Sequence, residues 1–177
     1  MKAVEIINKR GPKEKHFLRE DGIMEARLYS ENIHYLKDGK YEEIDNNLVI
    51  NEEYLENKSN EYKVRFKTKV DCNNFFELLK GDKYLKIAFY DCNNTISKKE
   101  FSNKNESIVY CENIYENIDL EYLISSEKIK ENVIIKDKIL KNSITYSLET
   151  NFEVKLEKNE ISLYDSGGNK VFVFNRP

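Results

Sequence analysis

Apolar residues recur at every second position through most of this 177-residue chain. Tyr62, Val64 and Phe66, for example, are separated by charged residues. The same alternation returns in four later stretches: Leu85, Ile87 and Phe89; Leu120, Tyr122 and Ile124; Ile144, Tyr146 and Leu148; and Phe152, Val154 and Leu156. Because successive side chains of a β-strand point to opposite faces of its sheet, this period predicts strands with one buried and one solvated face. We therefore expect a chain made mainly of antiparallel β-sheet.

A tight hairpin turn is predicted at Asp38-Gly39. This dipeptide suits the positive φ angles of a two-residue type I′ turn, so residues 33–37 and 40–44 are expected to pair as antiparallel strands. Turn residues also separate alternating segments at three other places: Lys80-Gly81-Asp82, Lys158-Asn159 and residues 165–169. Short strands joined by close turns are typical of an antiparallel sheet.

These patterns predict an all-β fold, either an antiparallel β-sandwich or two packed curved sheets. Helix is expected as short turns at most, at residues 52–59 and 71–79, because neither segment has a sustained helical stripe. Residues 1–177 are expected to form a single domain. The polar segment 102–106 would allow a division there.

The two ends of the chain are expected to differ. Residues 4–7 are predicted to form an edge strand, and residues 10–15 an exposed charged loop. At the other end, both sides of residues 171–174 are apolar, so this strand is predicted to be buried on both faces. Its second face would lie between two layers or beneath a domain that follows Pro177.

The charge composition argues against two kinds of partner. Lys and Arg number 29 against 32 Asp and Glu, which leaves a formal net charge of −3. A nucleic-acid-binding protein would have a surplus of basic residues on one face, so no nucleic-acid partner is expected. No apolar run is long enough to cross a bilayer, and the first residues lack the apolar core of a secretion signal, so no membrane insertion is expected.

Three cysteines, Cys72, Cys92 and Cys111, cannot form an even disulfide framework, and none belongs to a CxxC motif. We expect three small, half-buried thiols. The alternative is one bridge between Cys72 and Cys92, since both lie in the repeated tetrapeptide Asp-Cys-Asn-Asn at 71–74 and 91–94.

No residue pattern predicts catalysis or cofactor binding. Neither His16 nor His34 stands near Cys or Glu in a metal-ligand pattern, and no glycine-rich loop precedes a Lys-Ser or Lys-Thr pair. His34 is expected to be a strand residue that faces solvent or is hydrogen-bonded at the sheet edge. We therefore expect no catalytic, cofactor-binding or metal-binding residues, and no enzyme activity.

Acidic residues offer two alternatives to this expectation. Glu42, Glu43 and Asp45 form the densest acidic group near the hairpin, and we expect a solvated face with a turn capped by Asp45 rather than a catalytic carboxylate pair. Residues 45–47 and 165–169 offer oxygen ligands for calcium, but neither segment has the spacing of a calcium loop. Asn and Asp favour turns without any metal.

Several short segments follow one another in a characteristic order along the chain. The first half contains Arg10, His16-Phe17, Asp21-Gly22, 29–35 and 41–48; the middle contains 109–110, 113–114, 119–122 and 129–134; the end contains 161–165, Gly168 and 171–174. In this order, from about residue 4 to residue 177, they resemble the N-terminal β module of bacterial wall-associated and Rhs (YD-repeat) surface proteins. The chain departs from the module at Tyr41, where Trp is usual, and at Pro177, where relatives continue.

The resemblance implies an exported, surface-associated β module without known catalytic residues. On that basis we expect a non-enzymatic structural or interaction module of a large cell-surface or secreted bacterial protein, located outside the cell or at the wall. The chain would be a fragment of that protein, and its partners would be the remainder of the parent polypeptide or cell-wall components. The alternatives are a β-sandwich that binds glycans or wall polymers through exposed tyrosines, and a carboxylate-based glycoside hydrolase.

Overall fold

The computed structural model describes residues 2–139 and 143–174, and nearly all regular structure in this part of the chain is β-strand. The strands are β1 (Ala3–Glu5), β2 (Glu14–Arg19), β3 (Met24–Leu28), β4 (His34–Lys37), β5 (Lys40–Glu43), β6 (Asp45–Asn51), β7 (Tyr54–Ser59), β8 (Lys63–Asp71), β9 (Asn74–Lys80), β10 (Lys83–Phe89), β11 (Thr95–Ser102), β12 (Ser107–Tyr115), β13 (Ile118–Ile124), β14 (Ile129–Ile135), β15 (Tyr146–Thr150), β16 (Glu153–Glu157), β17 (Glu160–Tyr164) and β18 (Lys170–Phe174). One turn of 3-10 helix, Ile7–Lys9, follows β1. The predicted all-β fold of curved antiparallel sheets is confirmed. Across residues 2–139 and 143–174, no helix combines the length and the hydrophobicity that a bilayer crossing requires.

Ten strands, β6 to β15, form one sheet that we call the curled sheet. Its main order is β14-β13-β12-β11-β8-β9-β10-β15, and β7 and β6 extend from β8. The long strand β8 pairs with β7 and β9 near Arg65 but with β11 at Val70, so the sheet changes direction along it. The two ends of the main order also meet, because Tyr146 Oη on β15 donates to Glu131 Oε1 on β14 at 2.6 Å.

The core lies on the inner face of the curled sheet. Four aromatic rings form its centre: Phe75 lies 5.7 Å from Phe66, 4.8 Å from Phe89 and 5.4 Å from Tyr122, measured between ring centroids. Aromatic pairs at such separations contribute about 0.5–1.5 kcal/mol each beyond the area that they bury. The predicted inward faces of β8 and β13 are confirmed, since Val64, Phe66, Leu120, Tyr122 and Ile124 are all buried, as is Tyr62 just before β8.

The N-terminal region, residues 2–43, consists of a three-stranded sheet in the order β1-β2-β3 and the hairpin β4–β5. Asp38 and Gly39 have φ values of 50° and 75°, and Lys37 pairs with Lys40, so the predicted two-residue turn is confirmed. The predicted edge strand is also present as β1. The prediction of an exposed loop at 10–15 is wrong, because Arg10 and Lys15 are half-buried and β2 already begins at Glu14.

Two segments expected as helical turns are strands. Residues 52–59 contain β7 and residues 71–79 contain most of β9, and both strands lie inside the curled sheet. Four consecutive residues of β9, from Phe75 to Leu78, are buried, so the strand is covered on both faces. A strand without a solvated face has no alternation of polar and apolar residues, and this is why the sequence pattern did not reveal it.

The sheet β16-β17-β18 packs one face on the core. Leu163 of β17 is fully buried, and the ring of Phe172 on β18 meets those of Tyr62 and Phe152 edge-on at 6.5 and 5.7 Å. The prediction that 171–174 is buried on both faces is wrong, since β18 is an edge strand and Val173 on its outer side is exposed. Pro177, where the expected following domain would begin, lies outside the described residues.

Edge strands also explain three residues that are more exposed than their alternation predicts. Leu148 on β15, and Val154 and Leu156 on β16, are exposed. Each strand lies at the edge of its sheet. The inner face of an edge strand extends past the core that covers the central strands, so apolar residues on it stay exposed.

Candidate functional site

A dense group of charged side chains lies where the N-terminal sheet meets the hairpin. Arg10 donates to both carboxylate oxygens of Glu5, from Nε at 2.8 Å and from Nη2 at 3.1 Å. The same Nη2 lies 3.4 Å from Glu43 Oε1, which also accepts from Lys15. Lys104, in the turn between β11 and β12, donates to Glu43 Oε2 at 2.8 Å. We call these five residues, together with His34, the charged cluster.

Strand pairing explains how the cluster assembles. Glu5 pairs with Phe17, two residues from Lys15 on the same face of β2, so the Glu5 and Lys15 side chains are neighbours. Glu43 pairs with His34 across the hairpin. Pro12 O accepts from Ile33 N at 2.8 Å and His34 N at 3.2 Å, which fixes the hairpin to the segment between the helical turn and β2.

His34 is the buried member of the cluster, with 1% of its surface exposed. Its Nδ1 lies 2.7 Å from Gly11 O, and because a carbonyl only accepts, Nδ1 carries the proton and donates. Nε2 is buried and has no hydrogen-bond partner. Burial, the largest influence, lowers the pKa of His34. The expected solvent-facing position is therefore wrong, whereas the alternative of a hydrogen-bonded histidine agrees with the structure.

A metal ion is the first ligand to test against this geometry. One ring nitrogen of His34 and one carboxylate oxygen each of Glu5 and Glu43 lie within 4.8 Å of one another, and these atom types bind zinc. Both carboxylates, however, already accept hydrogen bonds from cationic side chains. Three fixed cations surround two carboxylates, so a divalent ion would enter a site with a net positive charge. The cluster fits an internal ion-pair network better than a metal centre.

The pKa directions in the cluster also bear on acid–base catalysis. Hydrogen bonds from Lys104 and Lys15 lower the pKa of Glu43 to about 2, and the hydrogen bond from Arg10 lowers that of Glu5. A glycoside hydrolase needs one carboxyl group that stays protonated as general acid beside an ionised one. Here both groups are ionised at neutral pH, and the histidine is buried. The cluster therefore lacks a proton donor for hydrolysis.

The other predicted acidic positions act in turns. Asp45 Oδ1 accepts from the backbone N of Asn47 at 3.0 Å and from its side-chain Nδ2 at 2.7 Å, as the predicted cap requires. Asp165 Oδ1 accepts from the backbone N of Gly167 and of Asn169, each at 2.9 Å. The Oδ1 atoms of Asp45 and Asp165 are thus hydrogen-bonded within their own loops. Asn46 Oδ1 and Asn47 Oδ1 accept instead from other segments, from Asn60 Nδ2 at 3.1 Å and from Ser102 Oγ at 3.4 Å. Glu42 is exposed as expected, but the expected solvated position is wrong for Glu43, which is half-buried in the charged cluster.

Shallow hollows on the surface do not have the lining of a sugar site. The larger has a volume of about 340 Å³ and is lined by Asn93, Asn94, Thr95, Ile96, Lys98, Glu112 and Asn113. The second, of about 180 Å³, is lined by Asn73, Asn74, Lys86, Ala88, Ser147 and Glu149. Neither lining includes an aromatic ring on which a sugar could stack. The glycan-binding alternative gains no support from either hollow.

An exposed apolar row crosses the outer face of the N-terminal sheet. Leu18 on β2 pairs with Val4 on β1 and with Met24 on β3, so the three side chains lie side by side on one face. Leu28 lies on the same face of β3. Their exposed fractions are 71% for Val4, 47% for Leu18, 51% for Met24 and 78% for Leu28. We call these four residues the apolar row.

Sequence patterns revealed neither feature. The charged cluster combines residues from position 5 to position 104, and no local spacing links them. The apolar row is split over three strands with one or two members on each.

Comparison with known proteins returned no relatives: no family model, no curated protein and no solved structure matches this chain.

Proposed function

We propose that this chain is a non-enzymatic structural or interaction module of a large exported bacterial surface protein, and that it docks on the remainder of its parent polypeptide. The observation that carries the proposal is the apolar row. Four apolar side chains on one face of the sheet, each about half exposed or more, favour a partner that would remove them from water. The order of segments that resembles the Rhs (YD-repeat) module supports the exported location.

The chemistry of the apolar row favours protein over wall polymer as the partner. Val4, Leu18, Met24 and Leu28 have no hydrogen-bonding side-chain group apart from the weakly accepting methionine sulfur. Wall polymers are rich in hydroxyl and charged groups, which would lose hydrogen bonds to water against such a face. An apolar face on another domain of the same polypeptide has no such cost.

The charged cluster supports the non-enzymatic part of the proposal. Its two carboxylates are neutralised by three cationic side chains, and its histidine is buried and fixed to Gly11 O. Groups held in this way join strands of different sheets. They are not free to exchange protons with a substrate.

The test is a binding measurement between this chain and the segments that its parent gene encodes beside it, with purified peptidoglycan as a second arm. We expect calorimetry to detect binding to a parental segment, and the double variant Leu18→Lys, Met24→Lys to weaken it by about tenfold or more. Ile50→Lys is the matched control, because Ile50 is an exposed aliphatic residue on β6, outside the row. It should leave the affinity unchanged.

Three results would contradict the proposal. One is the absence of binding to every parental segment, and another is an equal loss of affinity in the control variant. The third is binding to peptidoglycan that the row variant does not weaken, which would favour the wall-polymer alternative. Far-UV circular dichroism establishes first that each variant is folded.

A further inference from the structure

The two copies of the tetrapeptide Asp-Cys-Asn-Asn lie next to each other in the fold. Cys72 belongs to the turn between β8 and β9, and Cys92 to the loop between β10 and β11. Cys92 N donates to Cys72 Sγ at 2.9 Å, and the Cys72 thiol donates to Cys92 O at 2.9 Å. All three cysteines are free thiols, as expected, and the bridge is not present in this structure. Cys72 and Cys92 are half-buried as predicted, whereas that part of the prediction is wrong for Cys111, which is fully buried.

Hydrogen bonds hold both loops in place. Asp71 Oδ1 accepts from Asn73 N at 2.8 Å and from Asn74 N at 3.1 Å, which closes the first loop. In the second loop, Asn93 N donates to Ile114 O at 2.8 Å, and its side chain donates to Asn113 O at 3.0 Å. The two cysteines are therefore neighbours because of the fold, and not through a chance approach of mobile segments.

We propose that Cys72 and Cys92 are a redox modification site, at which a low-molecular-weight disulfide such as oxidised glutathione converts the two thiols into a reversible intramolecular disulfide. Cys72 Sγ already contacts the backbone N and O atoms of Cys92. The Cys92 sulfur is only two bonds from the α-carbon of that residue, so rotation of the side chain brings it within reach of Cys72 Sγ. A disulfide requires sulfur atoms about 2.05 Å apart and α-carbons about 4.4–6.8 Å apart. The proposal concerns this geometry and does not rest on the proposed function.

The reaction has two exchange steps. The Cys72 thiolate attacks one sulfur of oxidised glutathione, the reagent's S–S bond breaks, and the first glutathione leaves as a thiolate that takes up the Cys72 proton. The Cys92 thiolate then attacks the Cys72 sulfur of the mixed disulfide, and the second glutathione leaves with the Cys92 proton. Two electrons pass from the protein to the reagent, and two reduced glutathione molecules result.

The environment of each thiol sets the order of attack. Cys92 packs against the core, and burial raises its pKa to about 12, so it is a poor first nucleophile. Cys72 lies in a surface turn and is half-buried. Cys72 is therefore the attacking residue and Cys92 the resolving one.

Cys111 is a control within the same chain. It is fully buried in the core, lies 3.4 Å from Ser97 Oγ, and burial raises its pKa to about 11. Once the protein is unfolded, the reagent would reach Cys111 as easily as the other two cysteines. In the folded protein it should stay reduced throughout.

The experiment equilibrates the full chain in glutathione buffers of increasing redox potential and counts free thiols by alkylation and intact mass. We expect two thiols to disappear together while Cys111 remains, and non-reducing peptide mapping to find a Cys72–Cys92 link. Cys111→Ser should behave like the wild type, whereas Cys72→Ser should form no bridge. Oxidation should raise the Tm of wild type and Cys111→Ser by about 6–12 °C, because the link closes a loop across 20 residues of sequence.

Several outcomes would overturn the proposal. A mixed glutathione adduct that persists on Cys72, a bridge to Cys111, or no loss of thiols from the folded protein would each show that Cys72 and Cys92 do not pair. The Tm of Cys72→Ser under reducing conditions establishes that this variant is folded.

Discussion

The curled sheet and the N-terminal region are held together by different forces. The curled sheet encloses a continuous core of aliphatic and aromatic side chains, whereas the large buried apolar residues of the described chain begin only at Ile44. Residues 2–43 are joined instead by hydrogen bonds to Gly11 O and Pro12 O and by the charged cluster. Burial of apolar area is insensitive to salt and pH, whereas ion pairs depend on both. The two regions should therefore respond to different perturbations.

The largest effect is expected from truncating the centre of the core. Phe75→Ala removes a fully buried ring that contacts three other aromatic rings, and it should lower the free energy of unfolding by about 3–5 kcal/mol. Urea denaturation followed by circular dichroism measures this loss. Phe101→Ala is the control, because Phe101 is 44% exposed, and it should cost less than about 1 kcal/mol. Equal losses in the two variants would contradict a core centred on Phe75.

The next largest effect is an opposite response of the two regions to extremes of pH. The carboxyl groups of Glu5 and Glu43 have a lower pKa in the folded protein, that of Glu43 being about 2. Their stabilisation is therefore complete above about pH 4.5, the unperturbed value, and is lost as the pH falls toward 2. The curled sheet also loses stability in acid, because the burial of Asp119 on β13 is outweighed by hydrogen bonds that lower its pKa, but the sheet keeps its apolar core. We therefore expect the N-terminal region to open in acid before the curled sheet does.

Alkali should act on the curled sheet instead. The hydrogen bond to Asp119 raises the pKa of Tyr110 to about 12, and burial raises that of Tyr115 to about 12 and that of Tyr122 well above its usual value. The neutral phenols contribute stability that is complete below about pH 10 and is lost as the pH rises through the folded values. Near-UV circular dichroism and peptide-resolved hydrogen exchange across the pH range measure both transitions. A single acid transition that unfolds both regions together would contradict the distinction.

A smaller, local effect is expected from Glu43→Gln. This variant keeps the shape of the side chain but removes the charge that Arg10, Lys15 and Lys104 share. Amide exchange in β1, β2 and β5 should become about tenfold faster, a loss of about 1–2 kcal/mol, with no change in β9 or β13. Glu42→Gln is the matched control, since Glu42 is exposed and its contacts are with Tyr35 and Lys37. It should leave exchange unchanged in both regions.

The smallest effect is that of salt. The cluster side chains are partly exposed, so raising the salt concentration from 0.05 to about 0.5 M should screen their attraction and accelerate exchange in the N-terminal region by about threefold. The curled sheet should not respond. Hydrogen exchange at two salt concentrations checks this. An equal acceleration in both regions would contradict the prediction that salt acts on the N-terminal region alone.

The sequence was most informative where one face of a strand meets water. Alternation located β8 and β13, and the Asp38-Gly39 dipeptide located the β4–β5 hairpin with its register. Prediction from alternation failed for β9, which is covered on both faces, and for β18, where an apolar sequence lies on an edge strand. Alternation of polar and apolar residues arises where one face of a strand meets water. The pattern is therefore absent from a strand that is buried on both faces, and it misleads where the solvent-facing residues are apolar.

The candidate site was less predictable than the fold for a different reason. Glu43 was visible as part of an acidic group, but its partners Arg10 and Lys104 lie 33 and 61 residues away. Only the packing of the hairpin between the N-terminal sheet and the β11–β12 turn brings these charges together. The repeated tetrapeptide did single out Cys72 and Cys92 from sequence, and the fold places them in contact.

Hydrogen exchange of the wild-type chain at pH 7 and low salt tests the central distinction most directly. If residues 2–43 are held by ion pairs and the curled sheet by its core, amides of β8, β9, β12 and β13 should exchange at least about 100-fold more slowly than those of β1 to β5. Uniform protection across both regions, or faster exchange in the curled sheet, would contradict the account.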